Sequence, residues 1–244
     1  MYIDDVSADR VLQELKSSGN PSRAHHSQTY FKTGPGEYGE GDVFLGLTVP
    51  AVRKIAGKHQ DLEISEIAKL MDSYLHESRL CGLIILTNQY KKLKTEKEKK
   101  VAFDFYMKQL KLGNINNWDL VDVSAPTIGE YLITQDDAFT PLKKLSNSKS
   151  LWERRVSIIF TFAFIRKGEV ALTFDVAELL LEDDQDLIHK AVGWMLREAG
   201  KRDVMLLRRF LSENAHLMPR TMLRYAIERL PEKERKKWLL DSKS

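Results

Sequence analysis

The chain has 244 residues, 43% of them hydrophobic and 30% charged, with a net charge of +3. This is a globular profile, long enough to bury a core as one domain or one continuous array, and it excludes a disordered chain. No apolar run approaches the roughly 20 residues that span a membrane. The start, MYIDDVSADRV, is too acidic for a signal peptide. The lone Cys81 leaves no disulfide framework and no cysteine-based zinc site, and it fits a reduced, cytoplasmic setting. With so small a net charge, any contact with nucleic acid must come from where the bases lie rather than from their excess.

In chain order, the first distinctive segment is TGPGEYGEGD, residues 33–42. Four glycines and a proline rule out a helix. No Gly-Lys-Ser/Thr follows, and Glu37, Glu40 and Asp42 would repel phosphate, so this is not a phosphate-binding loop. It reads as a surface loop, with a mobile lid as the alternative. Helical spacing of apolar residues then marks 49–59, 78–90 and 98–110, with the charged run 91–100 as a solvated link. A break at Gly113-Asn114 precedes NNWDLVD, where Asn116 or Asn117 can cap a new helix. Ser146-Asn147-Ser148 is the next break. The capping-box spacing of Ser150 and Glu153 then starts a helix, SLWERRVSIIFTFAF, that is apolar nearly all round. Further helices are expected over 175–182, 188–201, 203–213 and 220–230, with breaks at Lys167-Gly168 and Leu230-Pro231. No stretch alternates as a strand does. The expected fold is therefore all-α, a solenoid of stacked helix pairs, with a compact orthogonal bundle as the alternative.

Three places carry residues suited to chemistry. In NNWDLVD, Asp119 falls in the first helical turn, where the helix dipole favours a carboxylate. Asp122 lies one turn beyond Trp118, so the two are neighbours, with Leu120 and Val123 expected on the other side. In the central helix, Arg155 shares the side of Trp152, Ile159 and Phe162 and needs an anionic partner, an internal acid or a phosphate. Arg154 is expected to reach solvent. In IHKAVGWMLREAGK, residues Ile188, Val192, Met195, Leu196 and Ala199 form a core face. Trp194 lies off that face, in line with Lys190, Arg197 and Lys201. A tryptophan in a basic stripe suits a nucleic-acid backbone. An ordinary solvated face, or packing of Trp194 on the next repeat, explains it equally simply. His25 and His26 diverge at i,i+1, no HExxH or comparable metal cluster is present, and neither a nucleophile elbow nor a dinucleotide fingerprint appears.

Taken together, NNWDLVD, LWERRVSIIF, KAVGWMLREAGK and MPRTMLRYAIERL, with FLGLTVPAVRKIA upstream, resemble the AlkD family of DNA alkylation-repair glycosylases over about residues 20–232. The resemblance implies a single domain over 1–244, a superhelix of HEAT-like antiparallel helix pairs with a concave DNA-binding face. It implies excision of purines alkylated at N3 or N7 from double-stranded DNA, without a cofactor or metal, by a monomer on nucleoid DNA. Asp122, Trp118, Trp194 and Arg155 match the family's residues around the lesion nucleotide. Arg197 matches a DNA contact, Tyr30 a further aromatic, and Lys190, Lys201 and Arg220 are expected at the DNA with them. A cationic alkylpurine leaves without a general acid, so one carboxylate that stabilises an oxocarbenium-like sugar and places water suffices. The lesion is expected to stay in or near the stack rather than be extruded. The alternatives are a non-catalytic reader of damaged or branched DNA on the same scaffold and a helical-repeat scaffold for protein partners.

Overall fold

The computed structural model describes residues 6–241, so the first five residues of the acidic start lie outside the described residues. Among these, fourteen α-helices form and no strand does. The helices are α1 Ala8–Ser17, α2 Pro21–Tyr30, α3 Val49–Lys58, α4 Ile64–Met71, α5 His76–Tyr90, α6 Glu96–Lys111 and α7 Trp118–Ile128. After a 3-10 segment, Gly129–Thr134, come α8 Phe139–Ser146, α9 Leu151–Lys167, α10 Ala171–Glu178 and α11 Asp186–Gly200. The last three are α12 Val204–Asn214, α13 Arg220–Ala226 and α14 Glu232–Asp241. No helix among the described residues is long and apolar enough to cross a membrane.

Short polar caps set these boundaries. Thr48, Ser150 and Asp203 each accept the backbone N–H three residues on, and Thr95 and Glu98 complete a reciprocal capping box. That box starts α6 inside the run 91–100, which the sequence reading took whole as a link. Gly168, at φ 88°, closes α9 in the left-handed conformation that glycine adopts most cheaply. Two other expected helices are displaced or shortened. The segment expected over 175–182 begins earlier, at Ala171, and ends at Glu178, so Leu180 and Leu181 are buried in the turn that follows. Asp183 terminates that region, its carboxylate held by Arg154 and by the N–H of Gln185. The segment expected over 220–230 stops at Ala226, and Ile227 and Leu230 are buried in turns ahead of Pro231.

Two compact units divide the chain, Met1–Ser124 and Ala125–Ser244. In the first, α1, α3, α4 and α6 pack around α5, which is buried from His76 to Thr87 without a gap. An all-round apolar helix is expected at a core. The surprise is its polar N-terminal turn, His-Glu-Ser-Arg, all four buried. Each has partners. The Glu77 carboxylate, 2% exposed, accepts the backbone N–H groups of Leu45, Gly46 and Leu47 at 2.9, 2.7 and 3.1 Å. Ser78 donates to the Leu70 carbonyl at 2.9 Å. The polar turn explains why α5 starts at His76 rather than at Ser78, where the apolar spacing begins.

In the second unit, α9 is covered by α8, α10, α11 and the 3-10 segment, and α11 packs on α12 and α13. The α11–α13 approach depends on Gly193. A Cβ there would stand 2.5 Å from the Met222 carbonyl oxygen and 2.5 Å from Tyr225 Cβ. Both helices would have to separate, at a cost of about 2–3 kcal/mol for an overpacked contact. Gly193→Val is therefore expected to lower the urea midpoint markedly, and an unchanged midpoint would show that the helices separate freely.

Candidate functional site

The NNWDLVD segment opens α7 in the first unit. Asn117 takes the cap position: its carbonyl accepts the Val121 N–H at 3.2 Å and its side chain accepts the Trp118 N–H at 2.9 Å. Leu120 and Val121 are fully buried, whereas Trp118 and Asp122 are half-exposed. The expectation that Val123 joins Leu120 in the core is corrected: the buried stripe runs through Leu120, Val121 and Ser124, and Val123, round the helix from that stripe, is half-exposed. Trp118 and Asp122 thus share the side of α7 that faces away from the core of their unit. Ser124 Oγ donates to the Leu120 carbonyl at 2.6 Å and lies 3.1 Å from the buried Tyr106 phenol oxygen. Burial pushes the Tyr106 phenol up, and the nearby Asp122 charge adds to this.

Trp118 does not stand alone. Its ring stacks on Phe31, with centroids 5.3 Å apart and planes 18° from parallel, and meets Tyr30 edge-on at 6.1 Å. Tyr30, at the end of α2, is 59% exposed. The structure therefore brings Tyr30 to Trp118. Phe31 was not singled out in the sequence, although its position directly after Tyr30 could have suggested it. Phe31 continues the aromatic contact inward to Phe44 and to the His76 ring.

The acids around this aromatic face have distinct tasks. Asp119 is more than a first-turn acid, since its carboxylate accepts a hydrogen bond from His76 Nε2 at 2.8 Å. His76 Nδ1 meets Asp42 at 3.0 Å, and Asp42 also pairs with Arg79 at 2.6 Å and accepts from Asn116 at 3.0 Å. Burial alone would depress His76, but the Asp119 and Asp42 carboxylates outweigh it and raise its pKa to about 9. Burial would raise Asp42, yet the His76 hydrogen bond, the Arg79 charge and Asn116 hold it below the usual carboxylate value.

Asp42 belongs to the segment 33–42, and its burial corrects the reading of that segment as a simple surface loop. Glu37 and Glu40 accept the loop's own N–H groups, from Gly34 at 2.8 Å and Gly36 at 2.9 Å. The Gly39 N–H reaches the Lys32 carbonyl at 3.0 Å. A Cβ on Gly39 would sit 2.5 Å from the Phe31 carbonyl oxygen, so only glycine lets the loop lie this close to the aromatic residue.

The second unit holds the other sequence-selected residues. Ile188, Val192, Met195, Leu196 and Ala199 are fully buried along α11, as their spacing predicts, and Trp194 is half-exposed, against Phe162 of α9 at 5.7 Å. The basic stripe beside it is ion-paired. Lys190 pairs with Asp186 at 2.7 Å, Lys201 with Glu198 at 2.7 Å, and Arg197 with Glu198 at 3.2 Å and with Glu228. Arg155 is 4% exposed and donates to the Leu187 carbonyl. Arg154, expected in solvent, is instead held by Asp183 at 2.6 Å and by the carbonyls of Ser148 and Lys149 at 3.0 Å. The acid at 183 completes the shell of a guanidinium that otherwise meets only carbonyls of the link between α8 and α9. Arg220, on α13, is exposed and donates to the Leu239 carbonyl at 2.6 Å.

Residues 11–230 match the family described as DNA alkylation repair enzyme. Among solved structures, the chain is similar to one described as a predicted DNA alkylation repair enzyme from Enterococcus faecalis. The TM-score is 0.66 at 16% identity, covering 88% of this chain and 97% of that one. At that identity the likeness shows a shared all-α fold. No curated protein matches the sequence. The family match spans the aromatic–acid segment of α7 and the arginine and tryptophan helices of the second unit alike, and by it the chain belongs to the DNA alkylation repair enzyme family, with that family's role in the repair of alkylated DNA.

Proposed function

We propose that the chain is a monofunctional DNA glycosylase that hydrolyses the N-glycosidic bond of N3- or N7-alkylated purines in duplex DNA. The observation that carries this reading is a half-exposed Asp122 one helical turn beyond a half-exposed Trp118, whose ring packs on Phe31 and an exposed Tyr30. An alkylated purine is already cationic, so the bond from C1′ to the base nitrogen breaks with the electron pair going to a neutral leaving base. Positive charge then develops on the sugar. A carboxylate set near C1′ stabilises that charge and orients the attacking water, whose oxygen bonds to C1′ as its proton passes to the carboxylate or to solvent. The π faces of Trp118 and Tyr30 favour the same cation. Water is the sole co-reactant, so the step balances without a cofactor.

One feature of the second unit supports a duplex partner. Lys190 and Lys201 keep their acid partners in half-exposed ion pairs, which are worth about 0–1 kcal/mol, so exchange of a carboxylate for a phosphate costs little. Trp194 and Arg155, on the adjoining helices α11 and α9, are assigned by the same reading to the damaged strand, with Arg197 and Arg220 as further DNA contacts.

The test is release of free base from methylated duplex DNA, identified by chromatography. The expected products are N3-methyladenine or N7-methylguanine, with no uracil or hypoxanthine released from duplexes that carry those neutral lesions. Tight binding of alkylated duplex with no base released would identify a non-catalytic reader instead.

A further inference from the structure

The His76 side chain joins the glycine-rich loop, α7 and the aromatic cluster behind the Trp118 face. Its Nε2 holds Asp119, the residue after Trp118, and its Nδ1 holds Asp42 at the end of the glycine-rich loop. Its ring lies 4.4 Å from Phe44 and 5.2 Å from Phe31, and Phe31 in turn stacks on Trp118. Both ring nitrogens face carboxylate oxygens, and only the imidazolium donates from both at once. The charged groups around it are Asp42 from the loop, Asp119 from α7 and Arg79 from its own helix, with Asn116 completing the shell of Asp42. Glu77, its neighbour in α5, is engaged instead with the backbone of residues 45–47.

We propose that His76 is a positioning residue for base excision: as an imidazolium clamped between Asp42 and Asp119, it fixes the first turn of α7 and the loop wall so that Trp118, Phe31 and Asp122 keep one geometry. The loop 33–42 is on this account a fixed wall rather than a lid. Deprotonation removes one of the two donors; Asp42 keeps Arg79 and Asn116 whichever nitrogen loses the proton, and loss from Nε2 releases Asp119 and loosens the first turn of α7. The raised pKa of about 9 gives the window. In the folded protein the link is whole at neutral pH and is lost as pH rises through about 9; its contribution to stability is full below the ordinary histidine value near 6.5 and is lost over the same rise.

The effect on rate rests on the glycosylase reading, and the effect on geometry does not, so each is read separately. The protein is labelled with 5-fluorotryptophan, and the Trp118 resonance is assigned as the one lost in Trp118→Phe. In the wild type, that resonance is expected to titrate near pH 9 while those of Trp152, Trp194 and Trp238 stay fixed. His76→Gln should displace or broaden it at pH 7 and abolish its titration. Asp119→Asn weakens the same link from the other side, since one neutral amide oxygen replaces a carboxylate that accepts both from His76 and from the Leu120 N–H, while leaving Asp42, His76 and Arg79 in place, and should displace it likewise. Base release by either variant is expected to slow by about tenfold to a hundredfold under single-turnover conditions, with duplex affinity held within about threefold.

A Trp118 resonance that neither variant moves would overturn the proposal, as would wild-type excision rates in both folded variants. Displacement of the resonance in a protein whose wild type releases no base would support the clamp and reject the glycosylase reading.

Discussion

Asp122→Asn is expected to slow base release about 10³-fold, roughly 4 kcal/mol of lost transition-state stabilisation, which is the upper end of what one preorganised polar group supplies. The substitution is nearly isosteric and lies on the half-exposed side of α7, so the fold should hold. On the proposed mechanism it removes a negative charge aimed at a sugar that becomes cationic only as the bond breaks. The ground state gains nothing from that charge and, next to phosphates, is opposed by it. Duplex binding should therefore stay the same or tighten slightly while the chemical step slows. Single-turnover release from alkylated duplex, with affinity measured on the same DNA, separates the two effects. Trp118→Phe should be milder, because it retains a ring and loses mainly area and stacking on Phe31.

Glu77→Ala is expected to have the largest effect on stability. The carboxylate accepts three backbone N–H groups from the turn that leads into α3. Gly46 in that turn has φ 80°, and a Cβ there would stand 2.2 Å from the Asn20 carbonyl oxygen, so the chain has little room to seek other partners. A buried donor left unsatisfied costs about 1–3 kcal/mol. Three of them, relieved in part by entering water, should lower stability by at least about 3 kcal/mol. Glu77→Gln should cost less, because its single carbonyl oxygen can keep two of the three donors while its amide faces the third. The order Ala below Gln below wild type in urea midpoints is the expected result. Equal midpoints would mean that water replaces the carboxylate at no cost.

Much of this organisation was legible in the sequence because it rests on period and local chemistry. The core face of α11 follows directly from its apolar spacing, and the α9 start follows from Ser150 and Glu153. Asp122 and Trp118 were paired by helical register alone, and both are half-exposed in α7. What was not legible depends on contacts between distant segments. Asp42 reads as one more acid in a glycine-rich loop until His76 and Arg79, more than thirty positions on, are seen to meet it. Glu77 falls just outside the helix expected over 78–90, and nothing local shows that the 45–47 backbone will meet it. The signal that was present is the His-Glu-Ser-Arg run at the head of a helix that is apolar on every side. Four polar residues bound for the core demand partners from elsewhere. Arg154 failed for the same reason, since Asp183 is supplied by the turn after α10. The basic stripe of Lys190, Arg197 and Lys201 was read from one helix, and its acid partners include Glu228 from beyond the end of α13.

The most direct test of the account is single-turnover base release from one duplex carrying a single N7-methylguanine, with wild type and Asp122→Asn measured side by side. The prediction is that the wild type frees N7-methylguanine and leaves an abasic site, whereas Asp122→Asn binds the same duplex and leaves the base in place. Release at the same rate by both proteins would contradict the assignment of Asp122, and release by neither would contradict the glycosylase reading itself.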